Sequence, residues 1–279
     1  MLLGRFLFRK RDQFDSVSTA WRHRSRTRCC NACSANRSFG CGAGAMNLCV
    51  IPARGGSKRI PRKNIREFCG KPMIAWSIDA AKASQCFDHI IVSTDDAEIA
   101  DVARQWGAEV PFMRPAELAD DFAGTTPVVA HTVQWYRDQN HDLRSVCCLY
   151  ATAPFAKPSD IRQGLAMLTT ASADRFVFTA TAYASPIQRA LKLDPASGVA
   201  HMWRPEQFIK RSQDLEPAYH DARQFYWGRP HAWLHSQNLF EGSKPLLLPQ
   251  WRVQDIDTEE DWLRAELLYR VLGRHVDYS

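Results

Sequence analysis

Leu48-Cys49-Val50-Ile51-Pro52-Ala53-Arg54-Gly55-Gly56-Ser57-Lys58-Arg59-Ile60-Pro61-Arg62-Lys63-Asn64 is the stretch on which the reading of this chain turns. Residues 48–51 form a short apolar run of the kind that becomes a buried strand. A Gly/Pro-rich loop follows, with five bases (Arg54, Lys58, Arg59, Arg62 and Lys63) in ten residues. Two adjacent glycines let backbone N–H groups come close to a phosphate. Ser57 adds a hydroxyl donor. Each charge-assisted bond to a desolvated phosphate contributes roughly 1.5–3 kcal/mol. The competing reading is an exposed basic turn, which has no use for this much charge. The spacing is neither the G-x-x-x-x-G-K-[ST] of a Walker loop nor the G-x-G-x-x-G of a dinucleotide fold.

Working outward, helix is expected over 73–83, strand over 89–93, and helix over 96–106 with Asp95 or Asp96 as its N-cap. A short strand over 110–113, a helix over 126–139 with Pro127 in its first turn, and a strand over 146–150 come next. Helix over 158–168 and strand over 176–180 complete the run. Strands alternating with helices predict an α/β fold with a doubly wound, mostly parallel sheet. Ligands in such sheets bind at the carboxyl ends of the strands. The alternation stops between about 183 and 230, a stretch rich in Pro, Gln, Tyr and Trp. That stretch reads as an inserted arm that pairs with a second copy, giving a homodimer. Strand is expected again over 251–256 and helix over 258–272.

The chain has 279 residues, 45% hydrophobic and 24% charged, which is ordinary for a folded globular protein. No apolar run approaches the ~18–20 residues of a bilayer-spanning helix. The formal net charge of +6 is unevenly placed. Residues 1–45 hold nine bases and two acids, and the remainder holds 27 bases and 28 acids. The body therefore has no overall charge that would draw nucleic acid. Residues 1–45 read as an extension outside the fold, disordered or non-native, with Met46 as the expected true start. An Arg-rich targeting peptide and a basic tail for an acidic partner are the alternatives. Cys29, Cys30, Cys33 and Cys41 lack the paired spacing of a zinc site. Cys49, Cys69, Cys86, Cys147 and Cys148 read as reduced, buried thiols.

Two further clusters carry chemistry. Ser93-Thr94-Asp95-Asp96 ends the second strand, where hydroxyls and carboxylates face a ligand crevice, unless the acids only cap the next helix. Gln254-Asp255-Ile256-Asp257 places two carboxylates two residues apart. On a strand these share a face, with Cα atoms ~6–7 Å apart. A pair so placed can share one Mg2+ at ~2.0–2.1 Å, unless Asp257 only caps the helix after it. The scattered histidines show no metal-ligand spacing, and no Ser-His-Asp or Cys-His constellation is evident.

The A-R-G-G-S-K-x-x-P-x-K-N string at 53–64 resembles the nucleotide-binding signature of the CMP-sialate synthetase family, cytidylyltransferases that activate nine-carbon 2-keto acid sugars. The resemblance runs from about residue 46 to 272. Residues 150–155, 211–216 and 224–228 resemble the pseudaminic acid branch of that family. Sialate members usually have a Gln and an Arg where this chain has Tyr150 and Ala156, and Arg223 stands where the pseudaminic branch is expected to have Gly.

The resemblance implies a nucleotide-diphospho-sugar transferase-like, Rossmann-like fold over 46–279, with 183–230 as a sugar-binding and dimerisation arm. It implies transfer of CMP from CTP to a sugar's anomeric hydroxyl with release of pyrophosphate, feeding surface glycan or flagellin glycosylation. Nucleotide contacts would fall on Ala53, Arg54, Gly55, Gly56, Ser57, Lys58, Lys63, Asn64, Ser93, Thr94 and Asp95. The catalytic set would be Arg54, Lys58, Asp255 and Asp257, with Mg2+ on the two aspartates. Amides and aromatics suited to a sugar are Tyr150, Thr152, Gln188, Arg189, Gln213, Asp214, Gln224, Phe225 and Tyr226. The expected setting is cytoplasmic, with no nucleic-acid or membrane partner. Rival readings are activation of N-acetylneuraminic, legionaminic or 3-deoxy-manno-octulosonic acid, a non-catalytic nucleotide-sugar binder, and a nucleic-acid binder driven by residues 1–45.

Overall fold

The computed structural model describes residues 45–120 and 124–275. The expectations placed on the extension and its four cysteines lie outside the described residues. β1 (Met46–Pro52) leads through the basic loop to a small hairpin, β2 (Glu67–Phe68) and β3 (Lys71–Pro72). Then come α1 (Met73–Ser84), β4 (His89–Ser93), α2 (Ala97–Gln105), α3 (Thr125–Asp138), β5 (Leu143–Leu149), α4 (Pro158–Leu168) and β6 (Phe176–Ala182). A second hairpin, β7 (Leu191–Leu193) and β8 (Ala200–Met202), precedes β9 (Tyr219–Gly228), α5 (Pro230–His235), β10 (Lys244–Leu247) and α6 (Glu259–His275).

The six-stranded sheet runs β10-β6-β9-β5-β1-β4. β1 pairs in parallel with β4 and β5, and β10 in parallel with β6. β9 alone is antiparallel, lying between β5 and β6. Leu48, Cys49, Val50 and Ile51 are all buried, as a strand covered on both faces requires. Their alternation sends Cys49 and Ile51 into one core with Ile74 and Ile78 of α1, Ile99 of α2 and Ile161 of α4. Leu48 and Val50 enter the opposite core with Val129 and Val133 of α3 and Trp233 of α5. Helices thus cover both faces, as a doubly wound sheet requires. Five described cysteines are free, and burial pushes the thiols of Cys49 and Cys147 well up. Among the described residues no helix is long and apolar enough to cross a membrane.

Local chemistry sets the ends of the helices. Asp96 caps α2 by accepting from Ile99 N at 3.0 Å. Pro158 starts α4 at a position where its missing N–H costs nothing. α6 opens on a reciprocal box: Thr258 Oγ1 accepts from Asp261 N at 3.2 Å, and Asp261 Oδ2 accepts from Thr258 N at 2.9 Å.

Three expectations are corrected. Residues 110–113 form no strand: the chain touches the sheet through a single bridge, Glu109 to Ile91, and Pro111 offers no N–H to extend it. Residues 251–256 form no strand either, because the chain tightens into a 3₁₀ turn over Gln250–Arg252 and then runs without a partner strand. The 183–230 arm is divided: its last ten residues or so are β9, a central strand. β9 escapes a periodicity reading because a register shift opposite Phe178–Ala180 breaks its alternation, with Arg223 in the left-handed region at φ 51°.

Candidate functional site

The carboxyl ends of β1 and β5 open onto a cleft of about 520 Å³, within the range of small-molecule sites. Its walls carry five cations, Arg54, Lys58, Arg59, Lys63 and Arg114, and one carboxylate, Asp257. A concave surface of that balance favours a polyphosphate. Ser57, Asn64, Tyr150 and Thr152 also line it, so eight of the expected residues meet there. A second cavity of about 400 Å³, between Trp76, Phe155 and Tyr269, has mostly apolar walls, and its Lys71 is ion-paired with Asp79.

The loop is shaped from within. Gly55 N donates to Asp95 Oδ1 at 2.9 Å, Ala53 N to Ser93 O at 3.0 Å, and Ser57 N to Gly55 O at 2.9 Å. Those three amides are engaged inside the protein. A Cβ on Gly55 would stand 2.7 Å from Asp96 Oδ2, so a larger residue here must displace Asp96, whereas Gly56 faces open space. Asn64 Nδ2 donates to Arg54 O at 2.9 Å and holds the loop's far end. Arg54 Nη1 donates to Asp120 O at 2.7 Å. Ser93 and Thr94 are buried beneath the loop. The two neighbouring acids divide the labour: Asp95 holds Gly55, while Asp96 caps α2 and takes Arg62 at 2.5 Å. Arg62 holds the Asp96 carboxyl below the usual range.

Arg114 carries no sequence signal beyond its charge. It is buried, donates to Ser93 O and, at 3.2 Å, to Ser93 Oγ, and burial lowers it to about 10, which leaves it charged at neutral pH. Thr125, at the start of α3, shares a 2.9 Å hydrogen bond with the Tyr150 hydroxyl. Behind Tyr150 stands Tyr226, with ring centroids 5.5 Å apart, and its hydroxyl donates to Asp221. Burial raises the Tyr150 and Tyr226 hydroxyls and the Asp221 carboxyl alike.

Of the aspartate pair, Asp257 lines the cleft and Asp255 does not. Asp257 accepts from Arg59 at 3.0 Å and Lys63 at 3.3 Å. Its side chain caps nothing, because Thr258 and Asp261 supply the cap of α6. Asp255 is half-buried and takes Arg223, and burial raises its carboxyl. One nitrogen, Arg223 Nη1, touches Asp255 Oδ2 and lies 3.8 Å from Asp257 Oδ2. The two carboxylates therefore converge on one cationic centre, which is the chemistry a shared divalent ion requires. Among the described residues no group of three or more His, Cys, Asp and Glu is arranged for a metal. An ion here would draw its remaining ligands from substrate oxygens and water, as Mg2+ commonly does.

The expected sugar-reading residues separate. Phe225 is wholly buried in the core beneath α4, and Gln224 is buried with Nε2 donating to Arg252 O at 2.8 Å while its Oε1 meets no partner among the described residues. Gln188, Arg189, Gln213 and Asp214 lie on two 3₁₀ turns of the arm and do not line this chain's cleft. Gln188 donates to Glu216 O at 2.8 Å, and Asp214 accepts from Arg211 at 2.8 Å.

The sequence model described as cytidylyltransferase matches residues 48–239. The chain is 46% identical over 226 residues to the pseudaminic acid cytidylyltransferase of Campylobacter jejuni strain 81-176, covering 81% of this chain and 97% of that protein. It is 36% identical over 232 residues to the CMP-N,N'-diacetyllegionaminic acid synthase of Legionella pneumophila, covering 79% and 95%. The solved structure of CMP:2-keto-3-deoxy-manno-octonic acid synthetase complexed with CTP superposes with a TM-score of 0.59 at 16% identity, over 81% of this chain and 99% of that one, a likeness of fold.

Proposed function

The chain belongs to the cytidylyltransferase family, and we propose that it transfers CMP from CTP to the anomeric hydroxyl of pseudaminic acid, releasing pyrophosphate. The observation that carries this is the cleft itself: a basic loop after β1 faces Tyr150 and Thr152 at the end of β5 and Asp257 from the far end of the chain. The sugar hydroxyl would attack the α-phosphorus in line with the leaving pyrophosphate. Such transfers rest on positioning and charge neutralisation. Arg54 and Lys58 would hold the phosphates and offset the charge that builds on the leaving group. Arg114, fixed against the end of β4, would add a cation that does not swing away. Asp255 and Asp257 would hold Mg2+, which when bound neutralises phosphate charge and polarises the α-phosphate. Tyr150, held by Thr125 and backed by Tyr226, would read the sugar face.

Residues 46–279 would form the catalytic body, working in the cytoplasm where CTP is made. The arm would pair two copies. In support, Leu191, Leu193, Val199, Trp203, Phe208 and Ile209 are all more than half exposed on it. The test is pyrophosphate release with CTP and Mg2+, comparing pseudaminic with N-acetylneuraminic acid. Release with pseudaminic acid alone is expected. Release with N-acetylneuraminic acid alone would keep the transfer and overturn the acceptor, and release with neither would overturn the reading.

A further inference from the structure

Arg223 stands on the irregular part of β9 at φ 51°, a conformation an arginine keeps only where its surroundings fix it. They do fix it. Its backbone N–H donates to Asp221 Oδ1 at 2.9 Å, and Asp221 is held in turn by the Tyr226 hydroxyl. The side chain leaves this pinned backbone and places one guanidinium nitrogen on Asp255, 3.8 Å from Asp257. Asp257 has two other cations, Arg59 and Lys63. Among the described residues Arg223 is the one cation ion-paired with Asp255. The guanidinium therefore occupies the centre where the two carboxylates converge.

We propose that Arg223 is a built-in competitor for the divalent ion: it neutralises the Asp255–Asp257 pair in the free enzyme, so that the ion enters with CTP rather than ahead of it. This rests on the reading of the pair as the metal site. A guanidinium and a divalent ion need the same oxygens, so each lowers the other's occupancy. Mg2+ gives up its water reluctantly and gains little from carboxylates already paired. A triphosphate changes the balance twice, by adding oxygens for the ion and by giving the guanidinium another anion. Arg223 and Asp255 are each half exposed, so the pair can part at small cost while the backbone stays pinned by Asp221. The strained backbone then belongs to the device, because it aims a long side chain at one point and recovers it afterwards.

The test uses Mn2+ as a spectroscopic probe, titrated into the full chain by electron paramagnetic resonance, with and without CTP and with no acceptor sugar. Without CTP, Arg223→Gln and Arg223→Gly should bind Mn2+ roughly three- to tenfold more tightly than wild type, the effect of removing one charge a few ångströms away in a partly wet site. Arg223→Lys, which keeps the charge, should stay near wild type. With CTP the gap should narrow. Adding Asp255→Asn to Arg223→Gln should abolish the gain. Equal Mn2+ affinity in wild type and Arg223→Gln would overturn the competition and leave the metal pair standing. Binding that ignores Asp255 and Asp257 even with CTP would overturn the metal reading and this proposal together. The Gly variant relieves the backbone and the Gln variant keeps it strained, so agreement between them assigns the effect to charge rather than to refolding of β9.

Discussion

Lys63 donates from Nζ to Ile256 O at 2.7 Å and to Asp257 Oδ1 at 3.3 Å, joining the loop after the first strand to a residue 194 positions later. Ion pair and backbone bond together fix where the Asp257 carboxylate stands relative to the basic cleft. Asp257→Asn keeps the shape and removes the charge. Turnover should fall by about 100-fold or more, as when a transition-state contact is lost, while CTP still binds weakly. Wild-type rates in pyrophosphate release would remove Asp257 from the reaction.

Gly55 and Gly56 are adjacent yet should respond differently. A methyl group on Gly55 meets Asp96 Oδ2 at 2.7 Å and Asp96 Cβ at 2.9 Å, and Asp96 cannot retreat without leaving Ile99 N and Arg62. Gly55→Ala should therefore cost about 1–2 kcal/mol, the value of a lost helix cap, and should weaken CTP. Gly56→Ala meets nothing and should melt near wild type. Thermal melts of the two variants side by side check this, and equal melting would mean the loop yields easily.

Tyr150 offers a test of which end of the cleft meets the sugar. Its backbone N–H donates to Gln224 O at 2.9 Å, so the ring is placed by the sheet, and its hydroxyl is held by Thr125. Tyr150→Gln should change the ratio of kcat/KM values between acceptor sugars more than it changes CTP affinity. Equal loss on both would place Tyr150 at the nucleotide.

Much of this was legible because it is local. Residues 48–64 announce themselves by an apolar run, two glycines and five bases within one short segment. The capping box of Thr258 and Asp261 is equally local, yet the sequence reading offered Asp257 as the cap in its place. The division of labour between Asp95 and Asp96 was not legible, since it depends on Gly55, forty residues away, lying beside one carboxylate. Arg114 was invisible for the same reason: a lone arginine before Pro115 has no spacing to read, and only the fold sets it against Ser93. Phe225 misled because an aromatic suits both a sugar face and a core, and burial places it in the core. β9 was lost because the irregularity around Arg223 shifts its register against β6 and breaks the alternation there.

The Arg62–Asp96 pair makes stability depend on pH. Arg62, seconded by Ile99 N, holds the folded Asp96 carboxyl below its unfolded value of about 3.9. A depressed carboxyl stabilises the fold above the unfolded pKa, and that contribution is lost as pH falls through the folded value. Both side chains are partly exposed, so the effect should stay within about 1 kcal/mol. Arg62→Ala should accordingly melt lower than wild type at pH 6, and the difference should shrink as pH is lowered through the acid range. A difference that stays the same throughout the acid range would assign the loss to packing of the arginine stem.

The arm supplies the last test. Ile209 is 89% exposed, Phe208 70% and Leu193 69%, apolar side chains that the folded body of this chain does not cover. Burying them against the same surface of a second copy would remove them from water at roughly 25 cal/mol per Å². A charge placed there would be taken out of water without a partner in such a contact. Leu193→Asp with Ile209→Asp should convert a dimer to a monomer in light scattering at micromolar concentration. Thermal melting of the body should change little, because neither residue enters the three buried clusters. A wild-type chain that scatters as a monomer would leave the arm's apolar surface to some other partner.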